Sequence, residues 1–323
     1  MNRLRGISGS LITRAVSSLS SPSPKPLVPK SRTTLQLAHP ASSFQVSLNV
    51  RGMVPREDGC QRGDSIGVVV DNLQAEEHRA TTRVKHQPVS QKHAAVLVPL
   101  FELNGEIRVI LTQRNAKMKT HAGEVCLPGG KREPDDVDDT ATALREAHEE
   151  LGIDPRCVRV VTMMQPMLSK HLLSVRPVVG VVPNDLTFYP NASEVEDVFT
   201  APLRLFLEPR EDEYWYRDVH WEEDIKYRLH YFRYCEQKEY VIWGLTAGML
   251  TLVAEKAFGK QPTFATHPPG SEPYTALTYA SGRLVFNGKS LKNVKRSSSA
   301  AVQGAVVTDE EAEAAVGNSE DAR

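Results

Sequence analysis

Apolar residues crowd into two neighbouring runs, "AAVLVPLFEL" (Ala94 to Leu103) and "EIRVILTQR" (Glu106 to Arg114), with only Asn104 and Gly105 between them. Asn-Gly flanked by β-branched apolar runs predicts a β-hairpin, because a type I′ turn needs positive φ at both central residues. The loop that follows ends in Pro128, Gly129 and Gly130, which mark a tight turn, and holds a short predicted strand near Val125. The period then changes. Ala141, Ala143, Leu144, Ala147 and Leu151 fall at helical spacing, acids precede Thr140 where a helix N-terminus favours them, and Gly152 is placed to end the helix. Further strands are predicted over 158–164, 175–182 and 227–234. Residues 194–207 read as a strand or turn leading into a helix, and 240–258 as one long apolar helix. Strands, helix, strands, helix is the order of an α+β or layered α/β/α domain with a mixed sheet.

Composition narrows the classes. The chain has 323 residues, a formal net charge of -1 and 40% hydrophobic residues. That suits one large domain with tails, or two small domains, with enough apolar residues for a soluble core, and gives no global attraction to nucleic acid or anionic membrane. No run approaches the roughly 18 apolar residues of a membrane helix. Cys60, Cys126, Cys157 and Cys235 are scattered without CxxC or zinc spacing and read as reduced thiols.

The ends differ from the middle. No Asp or Glu occurs before Glu57, whereas arginine and serine are frequent, and Leu4, Ile7, Leu11, Ala15 and Leu19 sit at helical spacing. This composition reads as an organelle transit peptide over 1–56, with the mitochondrion expected and the chloroplast or both as alternatives. The plainer reading is a disordered basic tail. Residues 57–90 form a polar lead-in, 91–288 the folded domain, and 289–323 a tail too poor in large apolar residues to fold.

The candidate chemistry lies in "LREAHEELGI", Leu144 to Ile153. Glu146, Glu149 and Glu150 fall at i, i+3 and i+4 and share one helix face. Such a patch can be an ordinary solvated face. It can also be a magnesium site, since hard divalent cations prefer carboxylate oxygens and leave room for phosphate and water. The adjacent Gly-Gly loop would give these carboxylates a substrate to face.

"GGKREPDDVDDTATALREAHEELGI" resembles the Nudix box, G-x5-E-x7-R-E-U-x-E-E-x-G-U, where U is aliphatic. Arg145, Glu146, Glu149, Glu150, Gly152 and Ile153 match its second half; Ala147 is small for U. Gly130 and Arg145 stand one residue further apart than in the pattern, and Asp136 or Asp138 must replace the early Glu. The coenzyme A branch of the family has the longer spacing and an upstream signature, L-L-T-x-R-(S/A)-x3-R-x3-G-x3-F-P-G-G. "ILTQRNAKMKTHAGEVCLPGG", Ile110 to Gly130, is similar to it: Thr112, Arg114, Gly123, Pro128, Gly129 and Gly130 match, while Ile110, Asn115, Lys119 and Leu127 depart. "SKHLLSVRPVVGVV" and "YVIWGLTAGML" also look like plant members of this branch, so the resemblance covers most of 94–258.

The resemblance implies the Nudix fold, an α/β/α sandwich with a mixed sheet and a catalytic loop–helix–loop. It implies magnesium or manganese and hydrolysis of coenzyme A or its thioesters to 3′,5′-ADP and 4′-phosphopantetheine or its acyl form. By position Glu146 and Glu150 would be metal ligands. Glu149 would be a third ligand or the base, Arg145 would orient it, and Glu194 or Glu196 are other candidates for the base. Arg114, Lys119 and Lys131, with Gly129 and Gly130, would meet substrate phosphates, Arg114 otherwise serving as a structural residue at a strand end. His121 and His171 receive no role, and Trp243, Val125 and Leu127 read as core. Coenzyme A would be the small-molecule partner, with no nucleic-acid or membrane partner, and a homodimer stays open. The alternatives are a Nudix hydrolase of ADP-ribose or NADH, a non-catalytic Nudix-fold binding module, and a plain helical interaction protein.

Overall fold

A computed structural model of the chain describes residues 46–47, 65–83, 90–220, 225–280, 283–286 and 289–290. Most of the segment read as a transit peptide, and the tail beyond Ser290, lie outside these residues.

In chain order the first elements are β1 (Val46–Ser47), α1 (Ile66–Arg83), β2 (Lys92–Leu103), β3 (Glu106–Arg114), β4 (Val125–Cys126), β5 (Gly129–Lys131) and α2 (Asp139–Leu151). Then come β6 (Arg159–Met163), β7 (Met167–Leu168), β8 (Leu173–Val181), β9 (Thr187–Phe188) and β10 (Val195–Pro202). Next are β11 (Tyr214–His220), β12 (Lys226–Cys235), β13 (Glu239–Trp243) and α3 (Gly244–Phe258). A last meander is formed by β14 (Leu277–Ala280), β15 (Arg283–Phe286) and β16 (Lys289–Ser290).

The main sheet runs β10-β3-β2-β8-β6, with β4 on β3, β5 on β2 and β7 on β8. It is mixed: β2 and β8 are parallel, whereas β2 pairs antiparallel with β3. The predicted hairpin is present, and Asn104 and Gly105 both take positive φ, 53° and 82°. Because strand side chains alternate, β2 serves two cores. Ala95, Leu97, Phe101 and Leu103 pack on Ala143, Ala147 and Leu151 of α2. Val98 and Leu100 join Val69 and Leu73 of α1 and Leu250 and Val253 of α3 on the opposite side. One helix lies below the sheet and two above, which is the layered α/β/α arrangement expected from the sequence.

The small sheet β11-β12-β13 supplies Phe232, Tyr234 and Ile242 to the upper core. Val125 and Leu127 are buried, as read from the sequence.

The structure corrects three assignments of elements and one of burial. The lead-in at 57–90 contains α1, whose Val69 and Leu73 are fully buried, and Glu102 accepts a hydrogen bond from the Ile66 amide at its start. The single helix expected over 240–258 is a strand followed by a helix. Gly244 takes φ 66°, which breaks the helical path between Trp243 and the following turn. Trp243 is consequently only half-buried, stacked on Tyr231 with ring centroids 5.6 Å apart, rather than core. Lys289 and Ser290, placed in the disordered tail, pair with β15. No described helix is long and apolar enough to cross a membrane.

Candidate active site

The site begins where β5 lies against β2. Gly129 pairs with Val96 and Gly130 with Ala95. A Cβ on Gly129 would overlap the Ala95 carbonyl and the Val96 backbone, so glycine alone permits this approach. A Cβ on Gly130 would overlap the Glu146 carboxylate instead. The Gly-Gly turn thus holds open the space into which α2 projects its acids.

Helix α2 is held at both ends. Asp138 is its N-cap, accepting from the Ala141 amide at 2.8 Å, and Gly152 closes it in the left-handed conformation. Asp136 does a different job. Both its oxygens accept from Arg145, from Nε and Nη2 at 3.0 Å each, while Oδ2 also accepts from the Glu133 amide and the Thr142 hydroxyl. These bonds hold the Asp136 carboxyl well below the usual carboxylate range, the Arg145 bond being the largest cause. Asp136 and Asp138, which competed in the sequence for the place of the early Glu, are therefore separated by the structure: one anchors Arg145 and the other caps the helix.

Arg145 is the hub of the acidic face. Nη1 donates to Glu146 Oε1 at 3.1 Å and to Glu149 Oε2 at 3.0 Å, and Nη2 donates to the Lys131 carbonyl at 3.1 Å. Glu149 is turned outward onto Arg145, and more than half of its side chain is exposed. Glu150 points inward and is 3% exposed. Its Oε2 accepts from the Gly129 amide at 3.2 Å, and its Oε1 lies 3.8 Å from Arg114 Nη1.

Burial pushes the Glu150 carboxyl up to about 8, against the opposing pull of the Gly129 amide and Arg114; Glu146 and Glu194 push it further up. Glu146 is raised too, by burial first and also by Glu149 and Glu194. Three carboxylates bear on one another here, Glu146 and Glu150 from α2 and Glu194 from the turn before β10. That turn is tied to the helix end by the Asn191 amide, which donates to the Glu150 carbonyl at 2.9 Å. Glu196 leaves this group and accepts from the Ala116 amide at 3.1 Å.

The face read from helical spacing as three glutamates is thus divided by depth. Glu150 is buried, Glu146 is half-buried, and Glu149 is turned outward. Sequence spacing gave no signal for Glu194, because it is 44 positions beyond Glu150 and arrives through the fold.

Among the basic candidates, Arg114 reaches the carboxylates. Its Nε is buried without a hydrogen-bond partner. Lys131 is exposed beside Gly130, and Lys119 is exposed on the loop 115–124 with no ion-pair partner among the described residues. Cys126, Cys157 and Cys235 are free thiols.

Among the described residues, no group of three or more His, Cys, Asp or Glu side chains is placed to hold a metal ion by itself. The donor chemistry fits a hard cation nonetheless. Like charges crowded at low dielectric are relieved by a proton or a cation, and magnesium takes one or two carboxylates with phosphate and water completing its shell.

Comparison with known proteins agrees with this geometry. Residues 91–240 match the NUDIX domain family. The mitochondrial Nudix hydrolase 15 of Arabidopsis thaliana is 46% identical over 212 residues, 64% of this chain and 73% of that protein. The chloroplastic Nudix hydrolase 22 of the same plant is 44% identical over 212 residues, 64% of this chain and 68% of its own length. The peroxisomal coenzyme A diphosphatase of Mus musculus is 36% identical over 199 residues, 61% of this chain and 83% of that protein. With the Gly-Gly turn, the acidic helix and these relatives in agreement, this chain belongs to the Nudix hydrolase family and is a hydrolase of diphosphate bonds.

Proposed function

We propose that this enzyme hydrolyses the diphosphate of coenzyme A, and of its acyl thioesters, to 3′,5′-ADP and 4′-phosphopantetheine or its acyl form. The observation that carries the reading is the placement of Glu150. It is buried between the Gly129 amide and Arg114, at the junction of the acidic helix with the loop whose sequence resembles the coenzyme A signature. A relative named for coenzyme A diphosphatase activity, 36% identical, supports the same substrate.

Glu146 and Glu150 would hold magnesium or manganese, which when bound neutralises diphosphate oxygens and lowers the pKa of a water. The chain's own residues do the rest. Arg114 offers a guanidinium to phosphate oxygens, a bidentate geometry that lysine lacks. Arg145, fixed by Asp136, holds Glu146 and keeps Glu149 turned aside. Glu194 is assigned to accept the proton of the attacking water, with Glu149 as the second candidate. The water oxygen bonds to one phosphorus, the bridging P–O bond breaks, and the departing phosphate keeps the electron pair.

The test uses the purified chain with magnesium and a panel of coenzyme A, acetyl-coenzyme A, ADP-ribose and NADH. Release of 3′,5′-ADP from the two coenzyme A forms with little turnover of ADP-ribose and NADH is expected, and equal or better cleavage of ADP-ribose overturns the substrate. Glu150→Gln is expected to lower kcat by roughly 100-fold or more with an unchanged melting curve. Near-normal turnover removes Glu150 from the site.

We also infer import into mitochondria, from the acid-free, arginine-rich residues 1–56. Relatives carry mitochondrial, chloroplastic and peroxisomal names, so the segment itself must be tested. A fusion of residues 1–56 to a fluorescent protein is expected to colocalise with mitochondria. Entry into chloroplasts alone, or retention in the cytosol, overturns this.

A further inference from the structure

Two loops beside the carboxylate group carry basic side chains that the hydrolytic chemistry leaves unused. One loop, 115–124, closes on Arg114, whose amide donates to the Glu124 carbonyl at 2.9 Å and whose carbonyl accepts from the Gly123 amide at 3.1 Å. The other, 169–172, is the tip of the β7–β8 hairpin, closed by the Leu172 amide on the Ser169 carbonyl at 2.9 Å. The register brings this tip to the same end of β2 as the Gly-Gly turn. Lys92 pairs with Leu173 on one side of β2, and Ala94 pairs with Lys131 on the other.

The loops meet through His121 and His171, whose rings pack edge to face with centroids 5.6 Å apart. His121 Nδ1 is 2.8 Å from Glu124 Oε2. Both loops hold a non-glycine residue in the left-handed region, His121 at φ 56° and Leu172 at φ 59°. The remaining described case is Asn104, which the hairpin turn explains. Strained backbone of this kind persists where the surroundings impose it, and it collects at binding sites.

The charge around the pair is one-sided. Lys170 lies next to His171 in sequence, and the charges of His121, Lys170 and Lys131 bear on His171. Arg114 and Lys170 bear on His121. Glu124 is the opposing carboxylate, already engaged by His121. Neither Lys131 nor Lys170 has an ion-pair partner among the described residues. A fold does not gain from gathering unpaired cations next to one another; an anion shared among them relieves the repulsion.

We propose that His121, Lys170 and His171, with Lys131, form a second anion site that takes a phosphate monoester of the same substrate molecule. This rests on the coenzyme A reading, and it gives the 3′-phosphate, which sits one ribose away from the diphosphate, a place of its own. Lys131 links the two sites, since it flanks Gly130 and its carbonyl is bound by Arg145. A dianionic monoester suits the cluster because its oxygens can accept from the ammonium and imidazole N–H groups that the two loops and Lys131 carry. The site therefore acts on specificity. It distinguishes coenzyme A from dephospho-coenzyme A, which has the same diphosphate and lacks the 3′-phosphate.

The experiment compares the full chain with Lys170→Gln/His171→Gln, using coenzyme A and dephospho-coenzyme A with magnesium. Wild type is expected to prefer coenzyme A by roughly tenfold in kcat/KM, through KM, as for one lost charge-assisted contact. The double variant is expected to lose that preference by falling on coenzyme A. Calorimetric binding of 3′,5′-ADP and 5′-AMP without metal gives an independent readout: the variant should lose the tighter binding of 3′,5′-ADP. An equal fall on both substrates, or an unchanged preference in the variant, overturns the proposal. Cleavage of ADP-ribose but of neither coenzyme form overturns the parent reading instead, so the two failures are separable.

Discussion

At the scale of single residues, the site is set by which side chains are allowed to be near one another. Gly129 and Gly130 make the point, because a methyl group at each meets a different neighbour. At Gly129 it meets the Ala95 carbonyl and Val96 Cα, backbone that cannot move without disturbing β2; at Gly130 it meets the end of Glu146, a side chain that can swing away. Gly129→Ala is therefore expected to destabilise the fold by about 1–3 kcal/mol or more, the usual cost of overpacking. Gly130→Ala should leave the melting temperature within a few degrees while lowering kcat by displacing a carboxylate. Thermal melts with steady-state kinetics separate the two, and identical behaviour of the variants contradicts the assignment. The sequence made part of this legible. The register of Gly129, Gly130, Arg145, Glu146 and Glu150 was readable because these residues lie within one short stretch. What it left open was direction: whether Glu149 faces in or out depends on Arg145, whose own position depends on Asp136 nine residues earlier.

At the scale of elements, long-range ties decide what the periodic pattern cannot. The helix α1 was illegible because its polar turns outnumber its apolar ones, and only the cores of α3 and β2 make sense of Val69 and Leu73. The start of α3 was misplaced because Tyr240 to Trp243 is as apolar as a buried helix; the positive φ at Gly244 decides it. His230 shows such a tie with a measurable consequence. It joins β12 to β11 through Tyr214, 2.9 Å from Nδ1, and to the segment after α3 through the Thr266 carbonyl, 3.1 Å from Nε2. A carbonyl can only accept, so Nε2 carries the proton and Nδ1 is left to accept from the Tyr214 hydroxyl.

Burial pushes the His230 imidazole down to about 4. The unfolded chain, with an ordinary histidine near 6.5, then binds the proton more readily than the fold does. The stability this residue contributes is complete above about pH 6.5 and is lost as pH falls towards about 4, by about 3 kcal/mol in all. His230→Gln has no such titration. Urea unfolding at pH 7.5, 5.5 and 4.5 should therefore show the wild type losing ground relative to His230→Gln as pH falls. A difference between the two that stays constant with pH overturns the assignment.

At the scale of the whole molecule, the layered fold was readable from the alternation of strands and helices, and its lower edge in sequence was not. The composition of residues 57–90 is polar on average, which places the start of the domain near residue 91. The structure makes α1 part of the upper layer: Val69, Val70 and Leu73 are buried, and the Asn72 side-chain Nδ2 donates to the Ala257 carbonyl of α3 at 2.9 Å. Burying side chains of this size is worth about 1.5–3 kcal/mol each. Three of them amount to a large part of the roughly 5–15 kcal/mol that holds a domain folded. Their loss would also open the faces of α3 and β6 on which α1 rests. Two truncations therefore separate two boundaries. Removal of residues 1–64 keeps every buried residue of α1 and should leave a cooperative melt and the hydrolytic activity in place. Removal of residues 1–90 should abolish cooperative unfolding or send the chain into aggregates, although the acidic helix, the Gly-Gly turn and Glu194 are all still encoded. Equal stability of the two truncated chains would mean that the domain is complete from residue 91 and that α1 adds nothing to it.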